Sequence, residues 1–254
     1  MPSSGCWSGV FETTTALEDA QRALQRSQLR FVASLSRHLS EQYVRHHQKE
    51  GRYGFIYVGR DRSALFRELI GEGKLVLDLG CRDGSLTHAI SRGNEIVGVD
   101  IDPIALRLAA DRLPTLQLVR ADLNLSIPFR SGCFDVVVAG EVLEHILFPH
   151  AFSAEIKRVL KPNGLFVGST PNVTHVRNRL RFLIGGLPDS AADETHLHYF
   201  SPASLTEFLS TDFSSVRVIG VGTKRVFGTI ARRMPALALD LCWSCRVADQ
   251  SVRD

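Results

Sequence analysis

Long apolar runs are missing from this chain. No stretch of its 254 residues reaches the ~18 successive apolar positions that a membrane-crossing helix needs, so no membrane span is expected. No basic patch followed by an apolar block opens the chain, so no secretory leader is expected. Cysteine is sparse and odd in number: Cys6, Cys81, Cys133, Cys242 and Cys245. That pattern argues against a disulfide framework. Cys242 and Cys245 form a lone C-x-x-C, without the two further ligands that zinc requires. These absences together point to the cytoplasm. An excess of one charge is also lacking. Lys and Arg number 30 against 27 Asp and Glu, a net charge of +3 that makes no case for a nucleic-acid partner. No repeat of solenoid period is present.

What remains is an ordinary globular composition, 44% hydrophobic and 22% charged. Apolar residues Leu24, Phe31, Leu35, Leu39 and Tyr43 recur at helical spacing, which predicts one or two amphipathic helices over residues 17–49. Their apolar stripe must be buried, either as a lid over a binding site or as a homodimer contact. From residue 75 the pattern changes. Short apolar runs at 75–79, 95–100, 116–119, 134–139 and 165–169 alternate with helical segments at 85–91, 103–112 and 149–160. Asp102 followed by Pro103 is a strong helix start. A helix at 204–209 and strands at 216–221 and 225–230 close the series. Strands alternating with helices mean βαβ units and a parallel sheet. The expected fold is therefore α/β, a doubly wound, mostly parallel, Rossmann-like sheet of seven strands with an N-terminal helical cap. The expected divisions are a cap at 1–70, a ligand-binding domain at 71–230 with an insertion at 171–200, and a tail at 231–254.

The segment Val76–Gly84, VLDLGCRDG, reads as strand, Gly-rich turn and helix start. It lacks the G-x-G-x-x-G of dinucleotide binders, and no Gly-Lys-Ser/Thr follows as in a P-loop. Asp78 lies inside the strand, where an apolar residue would be the bland choice. Asp100 ends the next strand, 22 positions on, where an acid reaches ribose hydroxyls. Asp122 follows the third strand and suits an adenine amino group. Single acids at strand ends are common surface features. Three on successive strands point to a nucleoside ligand without a pyrophosphate. A second segment, GEVLEHI, sets Glu141, Glu144 and His145 at i, i+3 and i+4, one face if helical. Such a set suits a divalent cation, or His145 and Glu141 as catalytic bases.

VLDLGCRDG, EIVGVDID, RADLNLSIPF, FDVVVAGEVLEHI and IKRVLKPNGLFVGSTPN resemble, in order and spacing, the motifs of class I S-adenosylmethionine-dependent methyltransferases. The likeness covers roughly residues 74–170 and is specific for the cofactor rather than the acceptor. It implies S-adenosylmethionine as cofactor. Asp78 and the turn Gly80, Cys81, Arg82 and Gly84 would hold the methionine end. Asp100 and Ile101 would meet the ribose, Asp122 and Leu123 the adenine, and Glu141 the cofactor side. Arg82 departs from the family, where many members have glycine. The chain is similar to quinone O-methyltransferases, in which an arginine about 20 residues before the turn touches the cofactor carboxylate. Arg60 fits that spacing and Arg62 is its near rival. In some relatives the Glu141, Glu144, His145 trio holds Mg2+, and His196 and His198 would complete the site.

The implied reaction is methyl transfer to an oxygen of a small-molecule, quinone, lipid-linked or sugar acceptor. RNA 2′-O-methylation at a metal site, and a cofactor-binding regulatory partner, are the competing readings. Arg177, Arg179 and Arg181, interleaved with Leu180, Leu183 and Ile184, read either as an anion-binding wall of the acceptor site or as a solvated basic face.

Overall fold

In the computed structural model, residues 34–54, 59–222 and 234–248 are described. The chain divides into two compact units, Met1–Tyr43 and Val44–Asp254. The described part of the first, residues 34–43, is helical, as the spacing of Leu35 and Leu39 predicts. The rest of the expected cap helix at 17–33, and the strand expected at 225–230, lie outside the described residues.

The second unit opens with helical residues 44–49 (α1). It continues through α2 (Gly59–Ile70), β1 (Leu75–Leu79), α3 (Ser85–Ile90), β2 (Glu95–Asp100), α4 (Pro103–Arg112), β3 (Gln117–Arg120) and β4 (Phe134–Gly140). Then come α5 (Pro149–Val159), β5 (Leu160–Pro171), α6 (Val176–Leu183), α7 (Pro202–Ser210), β6 (Ser214–Val221) and β7 (Asp240–Arg246). The strands form a seven-stranded sheet in the order β3-β2-β1-β4-β5-β7-β6. β1 to β5 run parallel, and β7 is antiparallel to both of its neighbours, β5 and β6.

Strand periodicity divides the core between the two faces of the sheet. Leu77, Leu79, Val137, Ala139, Phe166 and Trp243 pack with Phe152 and Ile156 of α5 and Leu205 and Phe208 of α7. The alternate residues Val76, Val136, Val138, Val167 and Cys242 pack with Leu65, Phe66 and Ile70 of α2 and Ile90 of α3. Asp102 caps α4 by accepting the Ile104 and Ala105 N–H groups at 2.8 and 3.1 Å, as its place before Pro103 predicts.

The expected divisions differ from the structure at two places. α2 was assigned to the cap, yet its buried face belongs to the sheet domain. The stretch 231–254 was assigned to a tail, yet Asp240–Arg246 is a buried strand inside the sheet. β7 has no local partner. It is defined by register against β5 and β6, strands 71 and 19 positions earlier at Thr170↔Leu241 and Val221↔Asp240 respectively, which local patterning does not reveal. The C-x-x-C pair falls on this strand. Three residues apart, Cys242 and Cys245 point to opposite faces and join different core clusters, as thiols outside any disulfide.

Candidate active site

The strand order reverses between β1 and β4, and the crevice of such a sheet opens at the carboxyl ends of those strands. The turn after β1 is stitched to β2 by Gly80 and Cys81 N–H groups donating to Val99 O at 2.8 and 3.0 Å. Gly80 and Gly84 have φ of +70° and +71°, left-handed values that glycine adopts without steric cost. Arg82 takes φ +48°, so the turn keeps the shape a glycine would give it. Its N–H donates to Asp100 Oδ2 at 2.8 Å. The Cys81 side chain is buried, so its contribution to the crevice is backbone.

Asp100 is buried at the end of β2, and burial raises its carboxyl above the usual range. Its oxygens accept the Arg82 and Asp102 N–H groups. A carboxylate has about four acceptor sites, so capacity remains for a ribose diol. Asp78 is buried on β1. Burial lifts its pKa to about 7, against the opposing hydrogen bond from Thr87 Oγ1 at 2.6 Å. Asp122 is buried just after β3 and accepts the Asn124 N–H at 3.0 Å. Ile101 and Leu123 stand half-buried beside these acids. The donor set fits S-adenosylmethionine: acids for an ammonium and a diol, beside a turn that admits close backbone approach.

Residues 46–54 border this bank, a feature the sequence reading missed. Tyr53 Oη donates to Asp102 Oδ2 at 2.8 Å, and His47 Nδ1 meets the same oxygen at 2.9 Å. The Gly54 N–H donates to Asp83. Burial alone would raise both acids. Hydrogen bonds outweigh it and hold both below the usual carboxylate range, from Gly54 and Ser85 for Asp83, and from His47, Ala105 and Tyr53 for Asp102.

The opposite bank departs from the expected helix. Glu141 follows β4 in the left-handed region, at φ +58°, and only Leu143–His145 forms a short 3-10 turn. Glu141 therefore stays close enough to Glu144 to act on its charge, but falls outside the group that Glu144 forms with His145. It accepts the Ser169 hydroxyl at 2.9 Å and pairs with Arg62 Nη2 at 3.1 Å. Arg62 also pairs with Asp240 of β7 at 2.9 Å. Burial, and the negative charge of Glu141, push the Glu144 and Asp240 carboxyls well up.

His196 takes the place expected for Glu141 in the cation set. Ligand atoms of Glu144, His145 and His196 lie within 4.8 Å of one another, the one such group among the described residues. His198 is outside it, and its backbone N–H donates to Glu144 O at 3.1 Å. His145 Nδ1 lies 2.9 Å from Thr195 O, so Nδ1 carries the proton and Nε2 the lone pair. Burial and the neighbouring His196 drive the His145 pKa down to about 3. The imidazole is neutral, which suits a ligand better than a base. Asp193 ties this bank to the first, 3.4 Å from His46 and 3.3 Å from Arg52.

Arg60 is exposed on α2, while Arg62 is buried beside Glu141. The signal was present in the spacing. Arg62, Phe66 and Ile70 recur every four residues on the helix face that packs on the sheet, and Arg60 falls outside that series. Asp240 gave no such signal, because its strand is placed by distant partners.

Residues 77–168 match the methyltransferase domain family. The chain is 31% identical over 140 residues to a protein of Mycolicibacterium smegmatis named as a probable S-adenosylmethionine-dependent methyltransferase, covering 55% of this chain and 51% of that one. It is 33% identical over 126 residues to the ubiquinone biosynthesis O-methyltransferase of Maricaulis maris, covering 45% and 47%. The chain spans about half the length of these curated relatives. Among solved structures, the Burkholderia thailandensis 1,6-didemethyltoxoflavin N1-methyltransferase with bound S-adenosylhomocysteine aligns at TM-score 0.59 and 20% identity, over 83% of this chain and 88% of that one, and shares the fold. The chain carries a class I S-adenosylmethionine-dependent methyltransferase domain.

Proposed function

We propose that this chain transfers a methyl group from S-adenosylmethionine to an oxygen of a small-molecule acceptor of quinone, lipid-linked or sugar type. The carrying observation is the row of buried carboxylates Asp78, Asp100 and Asp122, set beside consecutive strand ends around the left-handed Gly80–Gly84 turn. Asp100 and Ile101 would take the ribose and Asp122 with Leu123 the adenine. Asp78, Gly80, Cys81, Arg82 and Gly84 would take the methionine end. Arg62, rather than Arg60, would face that end together with Glu141. The cofactor supplies a methyl group on a sulfonium sulfur. The chain's task is to align an acceptor oxygen with that methyl and keep water out.

An acceptor hydroxyl must also lose its proton. Glu141 is tied to Arg62 and His145 is a weak base, so neither fits that task unaided. Glu144, His145 and His196 fit a divalent cation such as Mg2+ by their mixed carboxylate and imidazole donors. A cation held there would lower the pKa of a bound hydroxyl. The ubiquinone O-methyltransferase relatives support oxygen as the accepting atom. We place the protein in the cytoplasm and propose that the apolar stripe expected over residues 17–49 is buried as a lid or as a homodimer contact, to be checked by light scattering.

Calorimetry with S-adenosylhomocysteine tests the cofactor half. The parent should bind, and Asp100→Ala should weaken binding by about a hundredfold, on the basis of two charge-assisted hydrogen bonds. Absence of binding by the parent would sink the reading. His196→Ala should keep that affinity and lose any Mg2+-stimulated methylation of catechol-type acceptors. Unchanged Mg2+ stimulation would remove the cation from the mechanism.

A further inference from the structure

One cation stands between two acids at the carboxyl end of the parallel strands. Arg62 of α2 pairs with Glu141 at 3.1 Å and with Asp240 at 2.9 Å, through the same nitrogen, Nη2. Asp240 reaches this place because β7 runs antiparallel to β5. Its first residue lies in register with Pro171, the last of β5, and so stands at the end of the sheet where the crevice opens. The three side chains come from a helix before the sheet, the residue after β4 and the final strand.

A cluster built only to fasten β7 would look different. One carboxylate neutralises one guanidinium, and arginine ordinarily meets its partner with two nitrogens of the fork. A further buried carboxylate lowers stability unless a cation or hydrogen bonds offset it. Among the described residues, neither acid has another ion-pair partner. Arg62 Nε and Asp240 Oδ1 are buried there without a hydrogen bond. The Asp240 side chain is fully buried and that of Arg62 is 3% exposed, whereas Glu141 keeps 23%. Asp240 thus meets the Arg62 charge on the buried side and leaves the charge of Glu141 uncancelled on the open side. The cluster is one positive charge short. Burial and the Glu141 charge together outweigh Arg62 in pushing the Asp240 carboxyl up, as that shortage requires.

We infer that Asp240 is a positioning residue that sets the charge of the crevice, so that the site favours the cationic cofactor over its neutral product. The inference rests on the cofactor reading above and adds a determinant of specificity to it. S-adenosylmethionine carries one more positive charge than S-adenosylhomocysteine, on the sulfur that bears the methyl group. An uncancelled carboxylate in a water-poor crevice favours the charged form. Direct contact with the sulfur is not required, because charge acts across several ångströms of protein. Methyl transfer removes the sulfonium charge and with it this attraction, which promotes release of the product.

Calorimetry with both ligands tests it, on the full chain in EDTA, so that no divalent cation at Glu144 adds its charge. The readout is the ratio of the two dissociation constants. A general loosening of the site moves that ratio little, because the ligands share their adenosine and amino-acid groups. The parent should bind both. Asp240→Asn keeps the shape of the side chain and removes its charge. It should weaken S-adenosylmethionine about tenfold more than S-adenosylhomocysteine, the size of one charge acting over several ångströms. Thermal melts show whether the variant folds. If it lacks a cooperative melt, Glu141→Gln removes one charge from the same cluster at a partly exposed side chain and should shift the ratio in the same direction by a similar factor. An unchanged ratio in the folded variant, with the two ligands weakened equally or not at all, would overturn the inference and leave the cofactor reading intact. A parent that binds neither ligand would remove the cofactor reading itself, and this inference with it.

Discussion

Asp78 carries the clearest pH consequence in the molecule. Its pKa is lifted from 3.8 to about 7, first by burial. In the unfolded chain it ionises near 3.9. Between those values the unfolded state gives up a proton that the native state keeps. The stabilisation is complete below about pH 4 and is lost as pH rises through about 7. Asp78→Asn cannot ionise and should lack that decline. Urea unfolding at about pH 5 and about pH 8 should show a smaller difference for the variant, by a few kcal/mol at most. A cationic amino group beside Asp78 would reverse the preference and draw the proton off. S-adenosylhomocysteine affinity should therefore rise with pH up to about 7, and calorimetry should find that dependence flattened in Asp78→Asn.

At the scale of elements, β7 makes the sheet domain whole. Gly168 of β5 lies in register with Trp243 of β7, whose ring is fully buried. A Cβ at Gly168 would stand 2.1 Å from that ring and 2.6 Å from Ala139 O. The side chain on β7 is large because the facing one on β5 is absent. Gly168→Ala forces the indole or the β4–β5 ladder to move, an overpacking that costs about 1–3 kcal/mol or more. The melting temperature should fall accordingly, with circular dichroism as the measure. The same substitution at Gly132, where a Cβ meets nothing within 4 Å but φ is +66°, should cost only the backbone strain of about 1–2 kcal/mol.

For the whole molecule, cofactor and fold are linked by mass action. A ligand at a hundredfold its Kd adds about 2.7 kcal/mol. For a chain of this size that corresponds to a rise of roughly 5–10 °C in melting temperature. S-adenosylhomocysteine should produce such a rise in the parent and none in Asp100→Ala. Removal of residues 240–254 takes away the strand that bonds β5 to β6. The truncated chain should lose its cooperative melting transition, because two strand edges and Trp243's cavity open together.

The sequence by itself determined the strand–helix alternation from β1 to β5, the glycine turn, the Asp102 cap and the acids of the nucleoside bank. Each of these is written in a short window: an apolar run, a residue that tolerates positive φ, or a carboxylate placed at a strand end. Tertiary structure decided the rest. β7 acquired its place only through register with β5 and β6. Arg62 rather than Arg60 met Glu141, because the buried face of α2 points to the sheet. Glu141 left the cation set because the backbone after β4 turns left-handed instead of continuing as a helix. His196 entered it from a segment 51 positions beyond His145. The apolar stripe of α6 was visible as a pattern, but it faces outward because the buried residue of that helix is Asn178, whose amide donates to Asn172 O. Local chemistry is encoded by neighbours in the chain, while these pairings depend on which faces the packed sheet brings together.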